Sequence, residues 1–149
     1  MDSYSKLYHR VNRQSGFAVH NHIQITKIAE DHTEGELTIT PESLNPMGVV
    51  HGGCLVALAD SVAGTAVHAK GRVCVTLSST FNYLIAGTGS KIKCVATPQR
   101  IGRTIAVYDV VLTDDQERKV ATGCFTFYRK DETTPGFEHL QGQEESPEP

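Results

Sequence analysis

The stretch LNPMGVVHGGCLVALADSVAG, residues 44–64, changes character at its midpoint. Asn45, Pro46, Gly48 and the pair Gly52-Gly53 are loop and turn residues. From Cys54 to Val67 the chain is largely apolar, with one charged residue, Asp60, in the middle. Leu55, Val56, Leu58, Ala59, Val62, Ala63, Ala66 and Val67 cover most of a helical circumference. The spacing therefore predicts one long helix from about Gly52 to Lys70, buried on most sides, with Gly71 suited to its C-terminal cap.

Outward from that helix the texture changes. Ser3 to Arg13 sets Tyr4, Leu7, Tyr8 and Val11 at helical spacing and predicts a short amphipathic helix. HIQITKIAED (22–31) alternates Ile23 and Ile25, then slips to Ile28, which reads as a strand with a bulge. EGELTIT (34–40) alternates Leu37 and Ile39 and reads as its hairpin partner, before Pro41 and Pro46 mark a loop. Downstream, RVCVTLSSTFNYLIAG (72–87), KIKCVATPQRIG (91–102), RTIAVYDVVLTD (103–114) and KVATGCFTFYRK (119–130) are four β-rich stretches parted by turns. The expected architecture is α+β: a curved antiparallel sheet of about six strands wrapped around one long helix. Residues 1–130 form a single domain, and the polar segment 131–149 is expected to be a disordered tail. One sheet is a thin cover for a helix apolar nearly all round, so dimerisation is expected to complete its burial.

The chain has 149 residues, 39% of them hydrophobic, and a net charge of -3, which suits one domain with a real core. That charge gives no electrostatic case for nucleic acid or an anionic membrane surface as partner. MDSYSKLYHRVNRQ lacks the apolar centre of a signal peptide, and no apolar run is long enough to span a bilayer, so a cytoplasmic protein is expected. Cys54, Cys74, Cys94 and Cys124 are scattered with no C-x-x-C pair and read as buried thiols. His20 and His22 would share a strand face, but no further ligand is evident, so no metal is predicted. His9, His32, His68 and His139 are assigned no chemistry.

Asp60 is the anomaly. An unpaired buried carboxylate costs several kcal/mol in lost solvation. Its helical neighbours three and four residues away are Val56, Ala57, Ala63 and Gly64, none of them basic. Either the carboxylate faces a solvated groove or a backbone group, or it does chemistry. At the helix start, Gly52 and Gly53 sit where the first turn leaves N–H groups unpaired. Those amides and the helix dipole favour a polarised carbonyl oxygen, and glycine lets a ligand come close; a tight turn alone would also explain the pair. Eight residues separate Gly52 from Asp60, about 12 Å along the axis. A reacting centre must lie about 3 Å from both groups. One helix cannot meet that condition, but two helices related by a two-fold axis can.

Asn45-Pro-Met-Gly-Val-Val-His51-Gly52-Gly53 followed by Leu58-Ala-Asp60 resembles the signature of the hotdog-fold acyl-CoA thioesterases, of the phenylacetate-pathway and thioesterase-superfamily-member-2 type. The resemblance runs from about Ile23 to Arg129. It implies that the Gly52 N–H polarises the thioester carbonyl, with Gly53 beside it at the substrate. Asp60 of the other subunit would act as nucleophile or general base. It further implies that Asn45 and His51 orient the thioester or the water. His51 equally suits a structural cap. Thr76 matches a position where the family often carries the Ser or Thr that holds the attacking water, and it is also an ordinary strand residue. The turn Gln99-Arg100-Ile101-Gly102-Arg103 matches the region that meets the nucleotide phosphates of coenzyme A in relatives; two solvated arginines on a hairpin are the alternative. Some relatives place Ser or Thr four residues after the acid, where this chain has Gly64 followed by Thr65.

The resemblance thus implies an acyl-CoA substrate, a homodimer or homotetramer, and no cofactor beyond the coenzyme A of the substrate itself. An acyl-thioester hydratase or dehydratase of the same fold and a non-catalytic acyl-CoA sensor are the rival readings. The acyl group stays open between aromatic, short-chain and medium-chain, as does nucleophilic against general-base attack.

Overall fold

In a computed structural model, which describes residues 1–13 and 15–143, the chain runs in the expected order with one addition. Helix α1 spans Ser3–Val11, and Asp2 caps it by accepting from the Ser5 N–H at 2.8 Å. The addition is α2, a single turn at Phe17–His20. Strands β1 (Ile23–Ile28) and β2 (Thr33–Thr38) form the hairpin, and the register shift between Ile25 and Lys27 is the bulge that the slipped isoleucine spacing implied. Helix α3 spans Gly52–His68 and ends two residues earlier than expected. Gly71 follows at a φ of 106°, which favours glycine. Strands β3 (Arg72–Tyr83), β4 (Lys91–Ile101), β5 (Ile105–Asp114) and β6 (Lys119–Thr133) complete one antiparallel sheet, ordered β1-β2-β4-β5-β6-β3.

The sheet curves around α3. Leu58, Ala59, Val62, Ala63 and Val67 lose all solvent contact against Leu37, Ile92, Ala96, Leu112, Phe125 and Phe127. Each large aliphatic side chain buried in this way stabilises by about 1.5–3 kcal/mol. Gly35 of β2 lets the sheet approach closely: a methyl group there would lie 2.5 Å from Val62 Cγ2.

Three expectations change. The sheet alone buries eight residues of α3 and leaves Cys54, Val56 and Ala57 partly exposed, so the helix has less left to cover than expected. The bare surface is instead β3, which among the described residues pairs only with β6 and stays exposed from Val75 to Thr80. Second, the region from Asp131 is not all tail. Strand β6 continues to Thr133, which pairs with Arg72, and Phe137 is buried against Leu7 and Ala69 with Tyr4 alongside. One aromatic anchored by α1 outweighs the polar composition around it. The rest of the expected tail, 144–149, lies outside the described residues. Third, His20 and His22 share no strand face: His20 ends α2, and His22, with a φ of 60°, sits in the turn before β1.

Candidate active site

Asp60 lies midway along α3 and is half-buried. It is not without a partner: Thr76 Oγ1, on β3, donates to Asp60 Oδ1 at 2.7 Å. A neutral hydroxyl fixes the carboxylate without drawing it into an ion pair. Behind the pair, the Cys74 thiol lies 3.4 Å from His68 Nδ1, which bonds the Gly64 carbonyl oxygen at 2.8 Å. Burial first, then the Asp60 charge, pushes the Cys74 thiol up to about 12, so it stays protonated near neutral pH. Burial likewise lowers the pKa of His68, against its bond to the Gly64 carbonyl. Asp60 also borders a cavity of about 350 Å³ that reaches beneath α1.

At the start of α3 the loop chemistry becomes explicit. Asn45 Oδ1 accepts from the Met47 N–H at 2.9 Å and the Val49 N–H at 3.3 Å, so its carbonyl end is spent on folding the loop. His51 is the N-cap: its Nδ1 accepts from the Gly53 N–H at 2.8 Å. The Gly53 amide is therefore engaged within the cap, and any part Gly53 has at the substrate would not be as an open N–H donor. This bond places the ring proton of a neutral His51 on the exposed Nε2 side. The Gly52 N–H has no acceptor among the described residues. Tyr83 stands over it, donating to the Gly52 carbonyl oxygen at 3.3 Å, and a methyl group on Gly52 would come 3.1 Å from the tyrosine ring. Only glycine fits under that ring without displacing it. No local signal marked Tyr83, an aromatic in a strand like many others.

The expected phosphate-binding turn lies elsewhere in the protomer. Gly102 is buried at the end of the β4–β5 hairpin, where its carbonyl oxygen accepts from Arg129 Nη1 at 2.8 Å. Arg100 and Arg103 are exposed on either side of it. Arg103 lines a cavity of about 280 Å³ with Lys70, Gly71 and Arg72, at the far end of α3 from Gly52. A helix of 17 residues spans about 25 Å, so one protomer does not bring the turn and the Gly52 amide together. The helical rise likewise keeps Gly52 and Asp60 of one chain apart. Among the described residues no group of three His, Cys, Asp or Glu side chains gathers as a metal site. No helix among them is long and apolar enough to cross a membrane.

Residues 47–121 match the model of a family described as the thioesterase superfamily, a span that holds Gly52, Asp60, Thr76 and the Arg100–Arg103 turn. A Streptococcus pneumoniae protein, described as a hypothetical thioesterase and solved with coenzyme A, is 33% identical. It superposes with a TM-score of 0.69 over 72% of this chain and 85% of its own. The proofreading thioesterase EntH of Cronobacter turicensis is 26% identical over 106 residues, 69% of this chain and 77% of that protein. The Escherichia coli PaaI protein from the phenylacetic acid degradation operon is 24% identical and superposes with a TM-score of 0.82 over 88% of this chain and 96% of its own, a likeness of fold.

Proposed function

Because this chain belongs to the thioesterase superfamily and has its hotdog fold, we propose that it hydrolyses an acyl-CoA thioester to the free acid and coenzyme A. The observation that carries this reading is the half-buried Asp60 carboxylate, oriented by the Thr76 hydroxyl at the mouth of a cavity. Coenzyme A in the Streptococcus relative supports the choice of thioester.

Two subunits supply the reaction. The Gly52 N–H of one protomer donates to the thioester carbonyl oxygen and stabilises the charge that develops there. Asp60 of its partner then acts in either of two ways. As base it takes a proton from water while the water oxygen bonds to the carbonyl carbon; the C–S bond breaks, and the thiolate takes the proton. As nucleophile it forms an acyl anhydride, releasing the thiolate, and water hydrolyses the anhydride. Thr76 holds the carboxylate or the water, and Asn45 and His51 line the approach beside the amide. Arg100 and Arg103 suit the nucleotide phosphates of the partner's substrate, with Gly102 shaping their turn. The unpaired edge of β3, with Val75 and Leu77 about half exposed, supports pairing between protomers, edge to edge. Two such dimers would make the tetramer.

The test is a panel of acyl-CoA thioesters assayed with a thiol-reactive dye, beside an enoyl-CoA hydration assay. Wild type is expected to release thiol, and Asp60→Asn to lower kcat at least about 100-fold with its melting temperature kept. Hydration without thiol release, or binding without turnover, would replace hydrolysis with one of the two rivals. An Asp60→Asn protein as active as wild type would remove the carboxylate from the mechanism.

A further inference from the structure

The cavity that opens at Asp60 has a built wall. Leu7 and Val11 of α1 roof it, Ala18 of α2 and Ile25 of β1 flank it, and α3 floors it from Asp60 to His68. Its polar lining is largely engaged. Asn12 holds both the N–H and the carbonyl oxygen of Ile25, at 2.9 and 2.8 Å. Thr65 Oγ1 donates to the Ser61 carbonyl oxygen at 2.8 Å. At the far end His68 is tied to Gly64, and the Arg10 guanidinium reaches out to the Pro135 carbonyl oxygen at 3.0 Å. What remains is an apolar chamber with a carboxylate at one end, about 12 Å long from Asp60 to His68 by the helical rise. Its roof is preformed, since α1 is also fixed by Ser3 donating to the Gly136 carbonyl oxygen at 2.5 Å. A volume of about 350 Å³ falls at the small end of ligand pockets.

We propose that this chamber holds the acyl group of the thioester, an apolar chain or ring of medium size, and that Val11 sets how far it reaches. The inference rests on the hydrolase reading above. If the thioester carbon lies about 3 Å from the Asp60 carboxylate, the acyl group starts at the mouth of the chamber. On the other side of that carbon is sulfur, leading to a polar nucleotide that a mostly apolar lining suits poorly. A second cavity, about 330 Å³ between Phe17, Leu44, His51 and Ala57, does not touch Asp60 and carries Glu42 in its lining, so it suits a hydrocarbon less well.

The readout is the ratio of kcat/KM for octanoyl-CoA over acetyl-CoA. Val11→Phe is expected to lower it at least about 10-fold, and Val11→Ala to move the optimum to longer chains, within the range a shaped apolar pocket discriminates. Ala57→Leu, beside the second cavity, should leave the ratio where it is. Two outcomes overturn the assignment: both Val11 variants changing all chain lengths in parallel, or Ala57→Leu moving the ratio while they do not. A wild type that hydrolyses no thioester overturns the hydrolase reading itself, and this inference falls with it. Parallel losses in an active enzyme reject the chamber alone.

Discussion

Asp60 and Thr76 form a pair in which the hydroxyl does what an arginine would do badly. A guanidinium would lock both carboxylate oxygens in a fork of donors. Thr76 takes one oxygen at 2.7 Å and leaves the other free to act. A hydrogen bond to a charged group contributes about 1.5–3 kcal/mol. Thr76→Val should therefore lower kcat roughly 10-fold or more with KM little changed, and Thr76→Ser should restore most of it; equal rates for all three in steady-state kinetics would show that the bond orients nothing. The pair shows how far single residues can be read from sequence. Asp60 was legible because a charge inside an apolar helix has to be explained. Thr76 was marked only by the family resemblance, and its contact with Asp60 was not, since β3 brings Thr76 back to the helix sixteen positions later and nothing local marks that contact. The cap reading of His51 was open from the sequence, but its spacing to Gly53 could not reveal that the imidazole takes the Gly53 amide.

At the scale of elements, the closest contact between sheet and helix is the most informative one. Gly35 faces Val62, and a side-chain carbon there would also come 3.0 Å from the Gln24 carbonyl oxygen. The latter atom is backbone and cannot rotate away. Gly35→Ala should destabilise by about 1–3 kcal/mol through overpacking. For a domain of this size that lowers the thermal midpoint by about 2–4 °C per kcal/mol. A calorimetric midpoint within 1 °C of wild type, on an order set by the same scaling, would mean that β2 moves off α3 at little cost. The elements that sequence showed best were those with a clear period, such as the burial alternation of β5 and the continuous apolar run of α3. It hid α2, whose four residues are too few to show a helical period, and the packing of Phe137, whose reason for order lies in α1, more than a hundred residues away. Segment composition carries no information about a distant partner.

The whole molecule leaves one end of its sheet open. β1 and β3 are the two edges, and β3 is long and exposed along Val75 to Thr80. Sequence pointed to a partner through the cover of α3, most of which the sheet itself supplies, and through the distance between Gly52 and Asp60. The dimer is therefore argued from the edge and from the distance between amide and acid, and the second argument can be tested without seeing the interface. Gly52→Pro removes the N–H while placing proline at the first helical position, where it is tolerated. Asp60→Asn removes the base. Each variant alone should be nearly inactive. Mixed after unfolding and refolded together, half of the dimers become hybrids by chance pairing. If the site is shared, each hybrid carries one doubly damaged site and one intact site, so the mixture should recover about a quarter of wild-type activity, as two-fold symmetry dictates. If amide and acid work within one protomer, every hybrid site carries a lesion and mixing recovers nothing. Because the Gly52→Pro ring approaches the Tyr83 ring, the mixture should be repeated with Tyr83→Ala in both chains, so that a crowded loop is not mistaken for a lost amide.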